Sequence, residues 1–234
     1  MEREYIISVA MATYNGEKYI KEQLDSILKQ LNNNDEIIIS DDGSTDNTIN
    51  IINSYNDKRI RIIEGPHKGV KQNFANAISN CKGKYIFLSD QDDIWLDYKV
   101  DTVLKVFETT NCTCVVHDAQ VFDSNTNEVI MDSFFKFRNS KKGIIKNILK
   151  NSYIGCCMAI DKKIVDKIIP IPDDIEMHDQ WIGIMCEKYG NSVFINDKLL
   201  KYRRHNNNQS KMNHYSLPKM IKNRITFIKR CFYV

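Results

Sequence analysis

Two hydrophobic periods take turns along this chain. Residues 5–12 (YIISVAMA) form a short, nearly continuous apolar run rich in β-branched side chains, the pattern of a parallel strand buried on both faces. Thr13-Tyr14-Asn15-Gly16 breaks the run. Tyr19, Ile20, Leu24, Ile27, Leu28 and Leu31 then recur at helical spacing, with Lys21, Glu22, Asp25 and Lys29 mostly on the other side. The change of period repeats. Residues 36–40 predict a second strand, and Thr45-Asp46-Asn47 can cap a helix carrying Ile49, Ile51 and Ile52. Residues 59–63 predict a third strand, 70–79 a helix, and 84–89 a fourth strand that ends at Asp90-Gln91-Asp92-Asp93. This alternation implies an α/β fold: a mostly parallel sheet with right-handed crossovers, flanked by helices. In such sheets ligands sit at the carboxyl ends of the strands. Thr13-Tyr14, Asp41-Asp42 and the 90–93 cluster all lie at those ends.

The second half is less regular. Residues 113–122, 155–160 and 199–202 read as strands, and 134–139 as a loop. Residues 144–149 and 162–168 read as helices, and another helix opens at 178–181 behind Pro170 and Pro172. A polar stretch covers 203–209, and Ser216-Leu217-Pro218 starts a last helix that runs to about Cys231.

The 234 residues are 42% hydrophobic and 27% charged, enough to bury the core of one α/β domain with an appended C-terminal segment. Seven cysteines, an odd number, include no C-x-x-C pair, and neither Cys112-Thr113-Cys114 nor Cys156-Cys157 has the spacing of a tetrahedral zinc site. They are expected to be reduced, mostly buried thiols of a cytosolic protein. The N-terminus has no signal-peptide pattern, and no window holds the roughly 18 apolar residues of a transmembrane helix, so a cytoplasmic location is expected. The net charge of +3 is unevenly spread. From Lys198 onward there are six Lys and four Arg with no Asp or Glu, leaving 23 basic against 30 acidic groups before it. A basic tail on a mildly acidic body points to an anionic partner surface, either nucleic acid or phospholipid headgroups.

Candidate chemistry gathers at the strand ends. Asp90, Asp92 and Asp93 repel one another, and a divalent cation relieves that repulsion. Mg2+ or Mn2+ typically takes one or two carboxylates plus substrate phosphates, and then stabilises a departing diphosphate. The plainer alternative is a solvated turn capping a helix that starts at Ile94. Asp41 and Asp42 can accept hydrogen bonds from a base or ribose, or can serve turn chemistry beside Gly43 and Ser44. Tyr14 can stack on a base or be a half-buried aromatic. Asp179 suits a general base that deprotonates an acceptor hydroxyl, and equally suits a helix N-cap. His178 beside it reads as a structural hydrogen-bonder. Arg203 and Arg204 can neutralise a diphosphate and His205 can ligate a metal; otherwise they form an exposed basic loop.

The stretches SVAMATYNG (8–16), ISDDGSTD (39–46), GKYIFLSDQDDIW (83–95), HDQW (178–181) and YRRHNNN (202–208), in that order, resemble family 2 glycosyltransferases. The last two are similar to the rhamnosyltransferase-like subgroup of bacterial surface polysaccharide synthesis. The resemblance implies the GT-A fold, a Rossmann-like α/β architecture, over residues 1–212. Residues 1–110 would be its nucleotide-binding half and 111–212 its acceptor half, with a basic amphipathic helix at 213–234. It implies that Thr13 and Tyr14 line the base pocket, and that Asp42, with Asp41 beside it, reads uracil or thymine. Asp90-Gln91-Asp92 matches the D-x-D motif, so Asp92 is expected to hold Mn2+ or Mg2+ and Asp90 to contact ribose or metal-bound water. Asp179 matches the base of inverting members. His205 falls near metal or diphosphate, and Lys71, or Lys68, supplies a cation to the donor together with Arg204.

The implied activity is transfer of a sugar from a UDP- or dTDP-linked donor to a saccharide acceptor, carried on a lipid diphosphate, in O-antigen or capsule synthesis. The basic tail, with Met220, Ile221, Ile225, Phe227, Ile228 and Phe232 among five Lys/Arg, suits an interfacial helix on the anionic inner face of the cell membrane. It equally suits a helix packed on the domain. Two rivals are a non-catalytic nucleotide-sugar-binding module and a sugar nucleotidyltransferase. The latter would want a Gly-rich loop with lysines near the N-terminus, which Thr13-Tyr14-Asn15-Gly16 does not supply. A nucleic-acid binder leaves the carboxylate-rich strand ends unexplained.

Overall fold

A computed structural model describes residues 5–205, 208 and 217–232. The first part of the chain forms β1 (Ile7–Thr13), α1 (Ile20–Leu28), β2 (Glu36–Asp41), α2 (Thr48–Ser54), β3 (Ile60–Glu64), α3 (Val70–Ser79) and β4 (Tyr85–Ser89). Then follow β5 (Ile94–Trp95), α4 (Lys99–Thr109), β6 (Cys114–Asp123), β7 (Val129–Met131), α5 (Phe134–Arg138) and α6 (Ile144–Leu149). The remainder holds β8 (Met158–Asp161), α7 (Val165–Ile168), α8 (His178–Tyr189), β9 (Ser192–Arg204) and α9 (Leu217–Phe232).

The strands form one sheet in the order β3-β2-β1-β4-β8-β6-β9-β5, with β7 paired to β6. β1, β2, β3 and β4 are mutually parallel. β8 runs against β4, and β6 against β8, so β6 and its parallel neighbour β9 point the same way as β1. The sheet is therefore mostly parallel, as the alternating pattern requires, with β5, β7 and β8 reversed.

Strand alternation sorts the core into two layers. Ile7, Val9, Met11, Ile37, Ile39, Tyr85 and Phe87 face α1 and α4. Ala10, Ala12, Ile38, Ile86 and Leu88 face α3 and α8 on the other side. Because both faces are covered, β1 is buried along its whole length, which is why its sequence is a continuous apolar run rather than an alternating one. All seven cysteines are free and buried, as expected. Among the described residues no helix is long and apolar enough to cross a membrane.

Four local expectations differ from the structure. No element was expected at 97–112, yet Val100, Val103, Leu104 and Phe107 bury one face of α4. Ile94 and Trp95 start no helix; they form the short strand β5 on β9, and the backbone N–H of Trp95 donates to Ser26 Oγ at 3.0 Å. Residues 134–139 are not a loop: Ser133 caps α5 by accepting from Lys136 N, and Phe135 is buried. The last strand is longer than 199–202 and carries Arg203 and Arg204 within β9. Ser216, the 212/213 boundary and most of the polar stretch after His205 lie outside the described residues.

Candidate active site

Parallel pairing brings the strand ends level. Thr13 pairs with Asp41 across β1 and β2, and Met11 with Ser89 across β1 and β4. The acidic loop 90–93 therefore leaves the sheet beside Thr13 and Asp41. Asp41 is held by its own turn. Its carboxylate accepts from Thr13 Oγ1 (2.8 Å), Gly43 N (3.1 Å), Ser44 N (2.7 Å) and Ser44 Oγ (2.6 Å). Gly43 sits at φ 95°, a conformation that favours glycine, so the turn needs it. Asp42 is placed differently. Its Oδ2 accepts from Gly69 N at 2.8 Å, in front of α3, while Oδ1 is buried without a hydrogen-bond partner. Of the two expected base-reading carboxylates, Asp42 keeps an acceptor atom and Asp41 acts as the frame.

Tyr14, expected to line the base pocket, is 54% exposed at the end of β1. Its backbone is fastened to the acidic loop by a residue that the sequence pattern does not single out. Tyr14 N donates to Gln91 Oε1 at 2.9 Å, and Gln91 Nε2 donates to Tyr14 O at 3.0 Å. Gly16 gives the amide its seat, since a Cβ there would stand 2.3 Å from Gln91 Oε1.

The loop is anchored from beneath. Asp93 is fully buried; its Oδ1 accepts from Arg203 N at 2.9 Å and its Oδ2 has no partner. Arg203 also donates from Nε to Asp92 O at 2.7 Å and pairs with Glu22, with its guanidinium 4.7 Å from the Tyr19 and Phe122 rings. Lys99 is fully buried under the loop, donating to Cys156 O at 2.8 Å and lying 4.1 Å from the Trp95 ring centre. Burial pulls the Lys99 ammonium down to about 8. Burial, with Asp92 and Asp179 adding like charge, pushes Asp90 up to about 7. Asp93 is also pushed well above the carboxylate range, chiefly by burial. Ligand atoms of Asp90, Asp93 and Cys156 lie within 4.8 Å of one another.

Asp92 and His205, 113 residues apart in sequence, meet at 2.7 Å between Oδ2 and Nε2. His205 is set by the Tyr19 ring at 4.8 Å and by its backbone N–H, which donates to Asn208 Oδ1 at 2.7 Å. A carboxylate oxygen against an imidazole nitrogen is a pair of donors that suits Mn2+ and accommodates Mg2+ through carboxylate and phosphate oxygens. Asp93 faces the floor and Asp92 faces His205.

Asp179 stands in the first turn of α8. Its Oδ1 accepts from Gln180 N at 2.5 Å and from Asn151 Nδ2 at 3.2 Å, so both of these hydrogen bonds fall on one oxygen. Burial raises the Asp179 carboxyl to about 6. His178 is no hydrogen-bonder: it stacks on Phe74 at 4.2 Å, both ring nitrogens lack partners, and burial lowers it to about 3.

The two expected donor-binding cations make other contacts in this structure. Lys71 donates to Asp173 O (2.6 Å) and Ile175 O (2.7 Å), strapping the segment that leads into α8. Arg204 lies 6.0 Å over the Tyr202 ring, and strand alternation turns it to the face opposite Arg203. Arg203, the neighbour, is the cation at the acidic loop. The sequence offered Arg203 and Arg204 together, and only the strand register distinguishes them.

The family model for Glycosyl transferase family 2 matches residues 8–169. The chain is 28% identical over 203 residues to the Escherichia coli UDP-Glc:alpha-D-GlcNAc-diphosphoundecaprenol beta-1,3-glucosyltransferase WfgD, covering 86% of this chain and 78% of that one. It is 31% identical to the Shigella flexneri dTDP-rhamnosyl transferase RfbG, covering 85% and 73%. Among solved structures, S. aureus TarS 1-349 in complex with UDP-GlcNAc superposes with a TM-score of 0.75 at 18% identity, covering 95% of this chain and 66% of that one. The mannosyltransferase PcManGT from Pyrobaculum calidifontis, in complex with GDP-Man and Mn2+, gives 0.64 at 16% identity, covering 85% and 57%. The shared architecture is the GT-A fold.

Proposed function

The chain belongs to glycosyl transferase family 2, and from that premise we propose that it is an inverting, metal-dependent transferase. In this reading it moves a sugar from a UDP- or dTDP-linked donor to a saccharide acceptor in bacterial surface polysaccharide synthesis. The observation that carries the reading is the convergence of three sequence-distant groups. His205 touches Asp92, and Asp179 lies close enough for its charge to raise Asp90.

Each group has a role. Tyr14 stacks on the base and Asp42 reads it, with Thr13 and Asp41 holding the pocket wall. Asp90 contacts the ribose or a bound water. Asp92 and His205 would hold Mn2+ or Mg2+, which when bound supplies charge stabilisation to the leaving diphosphate. Arg204, expected at the diphosphate, would reach it only by leaving its place over the Tyr202 ring. Lys71, the other expected donor contact, reaches it only by leaving the two carbonyls it now holds. Asp179 takes the acceptor proton, and the hydroxyl attacks the anomeric carbon opposite the leaving group. A single displacement of this kind inverts the configuration.

The relative named as acting on a diphosphoundecaprenol-linked sugar supports an acceptor carried on a lipid diphosphate. Such an acceptor is met at the inner face of the cell membrane, by a cytoplasmic protein docking peripherally on anionic lipid through α9. The test is Asp179→Asn. Transfer should fall by about 10²–10⁴-fold, the contribution of a general base, while donor-induced thermal stabilisation in Mn2+ stays near wild type. Undiminished turnover would remove Asp179 from the chemistry. Donor binding without transfer in the wild type, across UDP- and dTDP-sugars and acceptors, would leave only a binding module.

A further inference from the structure

α9 has two apolar faces, and the domain covers only one. Phe227 and Cys231 are buried, with the Phe227 ring 6.0 Å from Trp181. Leu217, Ile221, Ile225, Ile228 and Phe232 fall on a second face, within about 80° of arc at 100° per residue, and are between 42% and 73% exposed. A helix with a single docking face turns polar residues to water there. The stripe does not stop at α9. Arg224 donates to Leu149 O at 2.8 Å, tying the helix to α6, where Ile145 and Leu149 are 74% and 55% exposed.

The exposed charges bordering these residues are positive; Glu187, half-buried, is taken up by the backbone N–H of Gly143 at the start of α6. Lys222 and Lys229 border the stripe, and Lys141, Lys142 and Lys150 border α6; all five are exposed. No Asp or Glu occurs in residues 133–160 or beyond Lys198. The acidic partners of α9, Glu176 with Lys219 and Asp174 with Arg230, lie on the helix side away from the stripe. A second copy of the chain would set lysine against lysine. An anionic bilayer meets both features, since its headgroups pair with the rim and its acyl boundary takes the stripe.

We propose that α6 and α9 together form a single docking surface for an anionic lipid bilayer, and that α6 sets the height of the acceptor site above it. α6 is joined to the base directly: Gln180 Nε2 donates to Asn147 O at 2.6 Å, and Asn151, two residues beyond α6, donates to Asp179. This second half rests on the reading of Asp179 as the base; the docking surface does not.

The test is co-sedimentation of the chain with phosphatidylcholine vesicles containing 30 mol% phosphatidylglycerol, about the anionic share that gives strong surface attraction, against pure phosphatidylcholine. I221D/I225D, K222E/K229E and I145D/L149D are compared with wild type. Wild type should bind the anionic vesicles and release from them as salt rises. Each variant should bind on the order of tenfold or more weakly. Donor-induced thermal stabilisation, unchanged in all three, shows that they are folded. Wild-type binding by I145D/L149D overturns the joint surface. Equal binding to both vesicle types overturns the charge argument, and a concentration-dependent dimer that the I221D/I225D pair abolishes makes a second copy the occupant. With a lipid-linked acceptor the same variants should lose transfer, while transfer to a water-soluble analogue persists. Loss of both kinds of transfer with intact docking would instead count against the catalytic reading.

Discussion

Replacing Gly16 by alanine should destabilise this protein in one background and stabilise it in another. Gly16 does not occupy the left-handed region, so alanine suits its backbone and should favour folding by about 0.4–1 kcal/mol through the unfolded chain. Against that, the new Cβ would stand 2.3 Å from Gln91 Oε1, and the three nearest atoms it meets all belong to Gln91. The amide must leave its seat and release both bonds to the Tyr14 backbone. The site is partly exposed, so the two bonds together are worth about 1–2 kcal/mol. Gln91→Ala should therefore lower Tm by roughly 2–8 °C, and Gly16→Ala by somewhat less. In the Gln91→Ala background the obstruction is gone, and Gly16→Ala should raise Tm. Thermal unfolding of the four proteins in a double-mutant cycle reads the sign directly. Donor KM should rise by a common factor in both single variants, because each frees the segment that presents Tyr14. Additive losses, with Gly16→Ala destabilising in both backgrounds, would refute the clasp.

Three further outcomes follow from the site. kcat/KM should fall below about pH 6 as Asp179 takes up a proton. Its carboxyl is raised on folding, so the native state binds the extra proton; removing it in Asp179→Asn should make the variant gain stability relative to wild type as pH rises through 6, and a flat difference would contradict the burial. His205→Ala should weaken Mn2+ activation by at least about tenfold, and an unchanged metal titration would exclude His205 as a ligand. Lys71→Met loses two bonds to carbonyls and about 1–3 kcal/mol; kcat should drop with donor KM nearly constant, whereas a raised donor KM at unchanged Tm would restore Lys71 to the diphosphate.

The strand-helix order of the first half was legible because each strand there is buried on both faces and each helix on one. The two periods are then written cleanly, as in residues 5–12 and 70–79. α4 carries an equally regular stripe, but it follows the irregular β5, whose pairing partner lies far downstream on β9 and leaves no local trace. Site residues divide in the same way. Asp90, Asp92 and Asp179 announce themselves as carboxylates after a strand or at a helix start. Gln91, Lys99 and Asn151 act through side chains that reach backbone or another polar group, and such contacts have no pattern of spacing. Lys71 shows the limit from the other direction: its two bonds to the carbonyls of Asp173 and Ile175 have no trace in the local sequence.

The acidic loop joins these two classes of residue. Three carboxylates in four residues would splay apart in a free turn, and the fold opposes that with contacts drawn from most of the chain's length. Gln91 fastens the loop to the end of β1, Arg203 holds the backbone at Asp92 and the carboxylate of Asp93, and Lys99 sits buried beneath. They turn Asp93 inward, so that the carboxylate free to meet His205 is Asp92. The crowding is divided: the Asp93 carboxyl is held in the floor by the backbone N–H of Arg203, and the Asp92 carboxylate is turned to His205. The register of β9 performs that division by placing Arg203, and not Arg204, against the loop.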